Sequence, residues 1–126
     1  KLYLRVSDLF ILNEKPEVSP DTDIRQVIVE ISSCRLGATA VIQDGILIGI
    51  ITDGDLRRML EKNPDITGIS AKDIMTSNPK TIEASQLVVK ALDLMRMYNI
   101  TQLPVVNNGS YVGVIHLHDI LKEGIL

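Results

Sequence analysis

Gly49-Ile50-Ile51-Thr52-Asp53-Gly54-Asp55 comes back 64 residues later as Gly113-Val114-Ile115-His116-Leu117-His118-Asp119. Each copy opens on a glycine and runs through β-branched residues. Each then turns polar and reaches an aspartate. β-Branched residues fit the pleated surface of a strand, and Thr52-Asp53 can cap a helix that follows it. Working outward, Val41 and Gly45 recur at the same offset as Val105 and Gly109, and Pro16 recurs 63 residues on as Pro79. Ser7-Asp8-Leu9 resembles Lys72-Asp73-Ile74. The one-residue change of offset falls between the helix and the strand pair of the repeat, where a small insertion costs little. Two copies of one supersecondary unit follow from this self-similarity.

Each copy has the same local grammar. In the first, Val18-Ser19 is a short extended segment after Pro16, and Asp21 or Thr22 offers an N-cap. Ile24, Val27, Ile28 and Ile31 make the stripe of an amphipathic helix. Gly37 suits the position just past its end. Ala38 to Gln43 and Ile46 to Ile51 are strands around the hairpin signal Asp44-Gly45. A second helix runs from about Gly54 to Lys62 and stops at Asn63-Pro64. The second copy matches: Thr81-Ile82 is extended, and Ser85 caps a helix carrying Leu87, Val88, Ala91, Leu92, Met95 and Tyr98. Leu103 to Val106 and Tyr111 to Ile115 flank Asn108-Gly109, and a last helix runs from about His118 to Glu123.

The expected fold is therefore α/β: two β-α-β-β-α motifs, residues 1–64 and 65–126, with Asp65 to Ser70 as connector. A single unit exposes an apolar sheet face it cannot cover, so the motifs are expected to pack as a pseudo-twofold pair. With 45% apolar residues there is material for that core. The net charge of −3 lacks the basic field that nonspecific nucleic-acid binding needs. No apolar run approaches the roughly 20 residues of a bilayer span. One cysteine, Cys34, permits no internal disulfide and fits a reducing, cytoplasmic compartment. A chain that opens on Lys1 reads as a piece of a longer polypeptide.

The two heptapeptides resemble the CBS motif pair, or Bateman module, in their glycine, two apolar residues, Ser/Thr-type position and aspartate. A narrower resemblance lies in Thr52-Asp53-Gly54-Asp55-Leu56-Arg57-Arg58, His116-Leu117-His118-Asp119-Ile120-Leu121, Ala71-Lys72-Asp73-Ile74-Met75-Thr76 and Asn78-Pro79-Lys80-Thr81. These look like the tail of bacterial arabinose-5-phosphate isomerases. Asp8-Leu9-Phe10 departs from that family's usual Asp-Ile-Met. The resemblance implies an upstream sugar-isomerase (SIS) catalytic domain in the parent chain. The parent would convert ribulose 5-phosphate to arabinose 5-phosphate for 3-deoxy-manno-octulosonate and lipopolysaccharide synthesis. It also implies a homodimer of CBS pairs within a homotetramer.

The junction at Thr52 is where a ligand is expected. Free N–H groups and the dipole at a helix start favour an anion. The Thr52 hydroxyl can donate to a phosphate, Gly54 permits close backbone approach, and Asp55 can accept from ribose hydroxyls. Resemblance to other CBS pairs assigns the aspartate to ribose in the same way. In the second copy His116 replaces Thr52 and can donate in a pH-dependent manner, with His118 beside it and Asp119 in the ribose role. Walls are expected from Val18, Ser19, Thr39 and Ala40, and from Thr81, Ile82, Leu103 and Pro104. Arg57 and Arg58 could meet a phosphate or sugar-acid carboxylate.

Plainer readings stand beside these. Asp55 and Asp119 also fit first-turn partners of a helix dipole. Thr52 fits a simple N-cap, and Arg57 and Arg58 fit a solvated helix face. His116 and His118 lack a third metal ligand, so one packs and the other caps. No acid–base pair with a nucleophile is visible, and neither a metal nor a catalytic site is expected. Three functions follow. The first is a regulatory module binding a nucleotide or nucleotide sugar such as CMP-3-deoxy-manno-octulosonate. The second is an assembly module that binds nothing, and the third is a sensor of AMP or ATP.

Overall fold

The computed structural model describes residues 3–124. In chain order the elements are α1 (Val6–Phe10), β1 (Glu17–Val18), α2 (Ile24–Cys34), β2 (Ala38–Gln43), β3 (Ile46–Thr52), α3 (Asp53–Lys62) and α4 (Ala71–Ile74). There follow β4 (Thr76–Ser77), β5 (Ile82–Glu83), α5 (Val88–Tyr98), β6 (Gln102–Asn107), β7 (Ser110–His116) and α6 (Leu117–Leu121). They form two compact units, one from Pro16 to Pro79 and the other from the segment up to Lys15 together with residues from Lys80 on. The sequence repeat and the packing unit are thus out of phase: the leading segment of each repeat packs with the other repeat.

In the Pro16–Pro79 unit the sheet order is β1-β2-β3-β4, with β1 parallel to β2 and the other pairs antiparallel. Asp44 and Gly45 turn the hairpin with φ of 52° and 78°, the double positive φ of a type I′ turn. α2 buries Ile24, Val27 and Ile31 against Val41 and Ile51. Its cap is Asp23, whose carboxylate accepts from Arg25 N at 3.0 Å, in place of Asp21 or Thr22. The reason is a bridge between Asp23 and Ser70, through which Ile24 N donates to Ile69 O at 3.0 Å. Thr22 instead takes Ser19 N, and Asp21 takes Lys72 Nζ. α2 closes on Arg35 in the left-handed region, two residues before Gly37. Asp65 to Ser70 is no free tether between the units, because Ile66 and Ile69 pack on this unit's core.

The other unit has sheet order β5-β6-β7, again parallel then antiparallel. Asn108 and Gly109 repeat the type I′ turn with φ of 52° and 85°. Both hairpins carry an irregularity at the same place, between Val41 and Ile42 and between Val105 and Val106. Val88, Ala91, Leu92 and Met95 of α5 pack on Leu103, Val105 and Ile115. α5 begins at Val88 without a side-chain cap, and Ser85 does not cap it. The first N–H of the helix is satisfied by backbone, since Val88 N donates to Leu4 O at 2.8 Å.

The likeness of Ser7-Asp8-Leu9 to Lys72-Asp73-Ile74 has a structural meaning. Asp8 Oδ2 accepts from Arg5 N and Asp73 Oδ2 from Ser70 N, each at 2.8 Å, at the starts of α1 and α4. Ser70 holds the Asp73 carboxyl below its ordinary pKa through these bonds. Each short helix delivers a side chain onto the repeat's glycine. A Cβ at Gly49 would lie 2.5 Å from Met75 Sδ, and one at Gly113 would lie 2.8 Å from the Phe10 ring. Phe10, where the family's methionine is expected, therefore occupies the position that Met75 holds in the other unit.

Candidate functional site

β3 hands directly into α3. Thr52 is the N-cap, and it forms a reciprocal capping box with Asp55. Thr52 N donates to Asp55 Oδ2 at 2.9 Å, the Thr52 hydroxyl donates to the same oxygen at 3.2 Å, and Asp55 N donates to Thr52 Oγ1 at 3.3 Å. Arg58 Nη2 donates to the remaining oxygen, Asp55 Oδ1, at 2.7 Å. The Arg58 guanidinium also lies over Gly54, where a Cβ would meet Nη1 at 3.3 Å. Arg57 is exposed. The junction thus gathers Thr52, Gly54, Asp55 and Arg58 within two turns, at the positive end of a ten-residue helix.

β7 hands into α6 in the same way, with a different cap. His116 Nδ1 accepts from His118 N at 3.0 Å, and His116 N donates to Asp119 Oδ2 at 2.8 Å. That bond fixes the tautomer: Nδ1 is the acceptor, so the proton resides on Nε2. Burial, then the charge of His118, holds the His116 pKa below its ordinary value, while Asp119 pulls the other way. The two imidazole centroids lie 4.7 Å apart. Among the described residues no group of three or more His, Cys, Asp or Glu side chains could hold a metal. Asn13 Nδ2 donates to Asp119 Oδ2 at 2.9 Å and to Val114 O at 3.0 Å. Nothing in the sequence marks Asn13, because the contact spans 106 residues.

The expected walls separate by face. Thr39 pairs with Ile51 and shares a face with Val41, on the core side of the sheet, and its hydroxyl donates to Ala40 O. Ala40 points to the opposite face, as does Thr52. Leu103 likewise lies in the core with Ile115, while Pro104 pairs with Val114 on the other face. Ile82 is a core residue, and Thr81 is exposed. Val18 and Ser19 line an open concavity of about 500 Å³ together with Glu17, Thr22 and Glu30. None of Thr52, Gly54, Asp55, Arg57 or Arg58 lines that concavity.

This chain matches the CBS domain family over residues 6–62 and 71–125, which is nearly its whole length. The chain belongs to that family, as a tandem pair. It is 41% identical over 97% of its length to arabinose 5-phosphate isomerase KdsD of Francisella tularensis subsp. tularensis, of which it spans only 38%. Its fold is similar to that of the CBS domain protein NE2398, with a TM-score of 0.87 at 22% identity, covering 97% of this chain and 98% of the other. It is also similar to CBS domain protein PAE2072 from Pyrobaculum aerophilum complexed with AMP, with a TM-score of 0.81 at 30% identity, covering 97% and 95%. Among the described residues no helix is long and apolar enough to cross a membrane.

Proposed function

We propose that this CBS pair, with motifs 1–64 and 65–126, is the ligand-responsive and self-associating part of a cytoplasmic arabinose-5-phosphate isomerase. The catalytic SIS domain of the parent would lie outside these residues. The ligand is a nucleotide or nucleotide sugar. The observation that carries the reading is the repeated strand-to-helix junction, with Asp55 and Asp119 each tied to the last residue of the preceding strand. A carboxylate held in this way is a preorganised acceptor for sugar hydroxyls. The α3 N-terminus with Arg57 and Arg58 suits the anionic end of the same molecule. Ser19, Ala40, Thr81 and Pro104 are proposed walls, and His116 offers its Nε2–H. The AMP complex of PAE2072 supports a nucleotide, and likeness to the isomerases supports a pathway compound such as CMP-3-deoxy-manno-octulosonate.

Thermal unfolding with AMP, ATP, CMP and CMP-3-deoxy-manno-octulosonate tests this. A ligand at a hundredfold excess over its Kd stabilises by about 2.7 kcal/mol. Stabilisation by the cytidine compounds that is lost in Asp55→Ala or Asp119→Ala supports a pathway sensor. A shift with adenine nucleotides alone supports an energy sensor. No shift with any of the four refutes nucleotide sensing. An apolar groove of about 260 Å³ beside α5 and α6, lined by Leu92, Met95, Leu117 and Leu121, favours an assembly role in addition. Sizing the chain by light scattering reads that role directly, and a monomer at all concentrations would refute it.

A further inference from the structure

We propose that the Asn108-Gly109 hairpin is a self-modification site, at which Asn108, first among the six asparagines of the chain, is converted in the folded protein to aspartate and isoaspartate. The reaction needs a side-chain amide free to turn onto the next residue. It also needs a backbone N–H on that residue that is neither missing nor engaged. Each of the other asparagines fails one of these conditions. Asn63 and Asn78 precede Pro64 and Pro79, which have no N–H. The Asn13 amide is held by Val114 O and Asp119 Oδ2 at 3.0 and 2.9 Å. Asn99 precedes the β-branched Ile100, whose N–H donates to Met95 O at 2.9 Å. Asn107 precedes Asn108, whose N–H donates to Glu83 Oε1 at 3.2 Å.

Asn108 meets both conditions. It is exposed, and its side-chain amide has no hydrogen-bond partner among the described residues. Gly109 is the third residue of a type I′ turn closed by the Asn107–Ser110 pair, where the N–H is left unbonded. A Cβ on Gly109 would meet nothing within 4 Å, so nothing crowds its nitrogen as Asn108 Cγ approaches. Hydroxide takes the Gly109 N–H proton, and the nitrogen attacks Asn108 Cγ. The N–Cγ bond forms and the Cγ–Nδ2 bond breaks, with the amide nitrogen leaving as ammonia after taking a proton from water. One water then opens the cyclic imide. Opening at Cγ restores the chain with an aspartate, and opening at the backbone carbonyl leaves the chain running through Cγ as isoaspartate. Amide plus water thus becomes carboxylate plus ammonium, and nothing is oxidised or reduced.

The two products differ in consequence. Aspartate suits the turn, since Asp44 holds the same φ of 52° in the other hairpin. Isoaspartate adds a carbon to the backbone of a two-residue loop, so the Asn107–Ser110 pair and the register of β6 on β7 are not both kept. Ageing the folded chain in mildly alkaline buffer, beside the same chain held unfolded in urea, tests this by peptide mapping and mass spectrometry. Folded protein should convert at Asn108 before any other asparagine, with aspartyl and isoaspartyl peptides resolved by fragmentation. The separated isoaspartyl fraction should melt lower than unaged chain, and freshly prepared Asn108→Asp should melt with it. Asn108 intact in the folded sample after the urea sample has converted, or another asparagine reacting first, overturns the proposal. An isoaspartyl fraction that melts with unaged chain overturns the loss of register.

Discussion

Replacing Gly113 by alanine tests why this glycine recurs. Its Cβ would sit 2.8 and 3.1 Å from two ring carbons of Phe10, and the backbone holds φ at 157°. Phe10 is 7% exposed, and a buried ring has no rotamer to retreat into. Overpacking of this kind costs about 1–3 kcal/mol, and an unfavourable φ adds to it. Gly49→Ala makes a shorter contact, 2.5 Å, but with Met75 Sδ, which can swing aside, and leaves Met75 Cγ and Cβ at 3.0 and 3.1 Å, where a shift of a few tenths of an ångström relieves the contact. The shorter contact is therefore predicted to be the cheaper one. At about 2.1 cal/mol/K per residue, 126 residues make 1 kcal/mol worth about 4 °C in Tm. Gly113→Ala should lower Tm by roughly 8–15 °C and Gly49→Ala by about 4 °C. Phe10→Met, which borrows the residue of the other unit, should recover about 4 °C in the Gly113→Ala background. Scanning calorimetry of the three single variants and the double variant reads this. Equal losses at the two glycines, or an additive double variant, would refute steric closure by Phe10.

Arg35 holds a left-handed φ of 59° at the end of α2, so Arg35→Gly should raise stability by about 0.5–1 kcal/mol in urea unfolding. Asn13→Ala removes the donor to Asp119 and Val114, and should cost about 1–2 kcal/mol in the same assay. The folded pKa of His116 lies below its unfolded value of about 6.5. The unfolded chain therefore binds the proton first, and the contribution of His116 is complete above that pH and is lost as pH falls toward the folded pKa. Protonation also removes the Nδ1 acceptor that caps α6, so His116→Thr, with the cap of the other unit, should flatten Tm against pH between 5 and 7.

Strands and hairpins were readable because their signals are local. Asp44-Gly45 and Asn108-Gly109 supply positive φ where a type I′ turn demands it, and the apolar runs beside them have no other use. Thr52 was readable as a cap for the same reason. The caps of α2 and α5 were not, since Ile69 O and Leu4 O satisfy their first N–H groups from remote chain. α1, α4 and β4 are too short to show periodicity, and only tertiary packing decides which sheet they join. At the candidate site, the aspartates show as a repeat. The seat of Arg58 over Gly54 depends on a rotamer, and Asn13 on a contact no spacing rule anticipates.

The out-of-phase packing explains why two copies of one motif carry unequal carboxylates. In the Pro16–Pro79 unit the segment after α4 continues as β4, and Thr76 pairs with Ile50 through backbone. The short side chain of Thr76 makes no bond to Asp55, whose second oxygen is left to Arg58. In the other unit the segment after α1 forms no strand. Asn13, which matches Asn78 in the repeat, lies beside Val114 and uses its amide both to satisfy the strand carbonyl that β4 would have met and to reach Asp119. One polar side chain thus replaces a strand and supplies an uncharged donor to the carboxylate. The chemical difference between the sites begins in these leading segments, outside the heptapeptides that define the repeat.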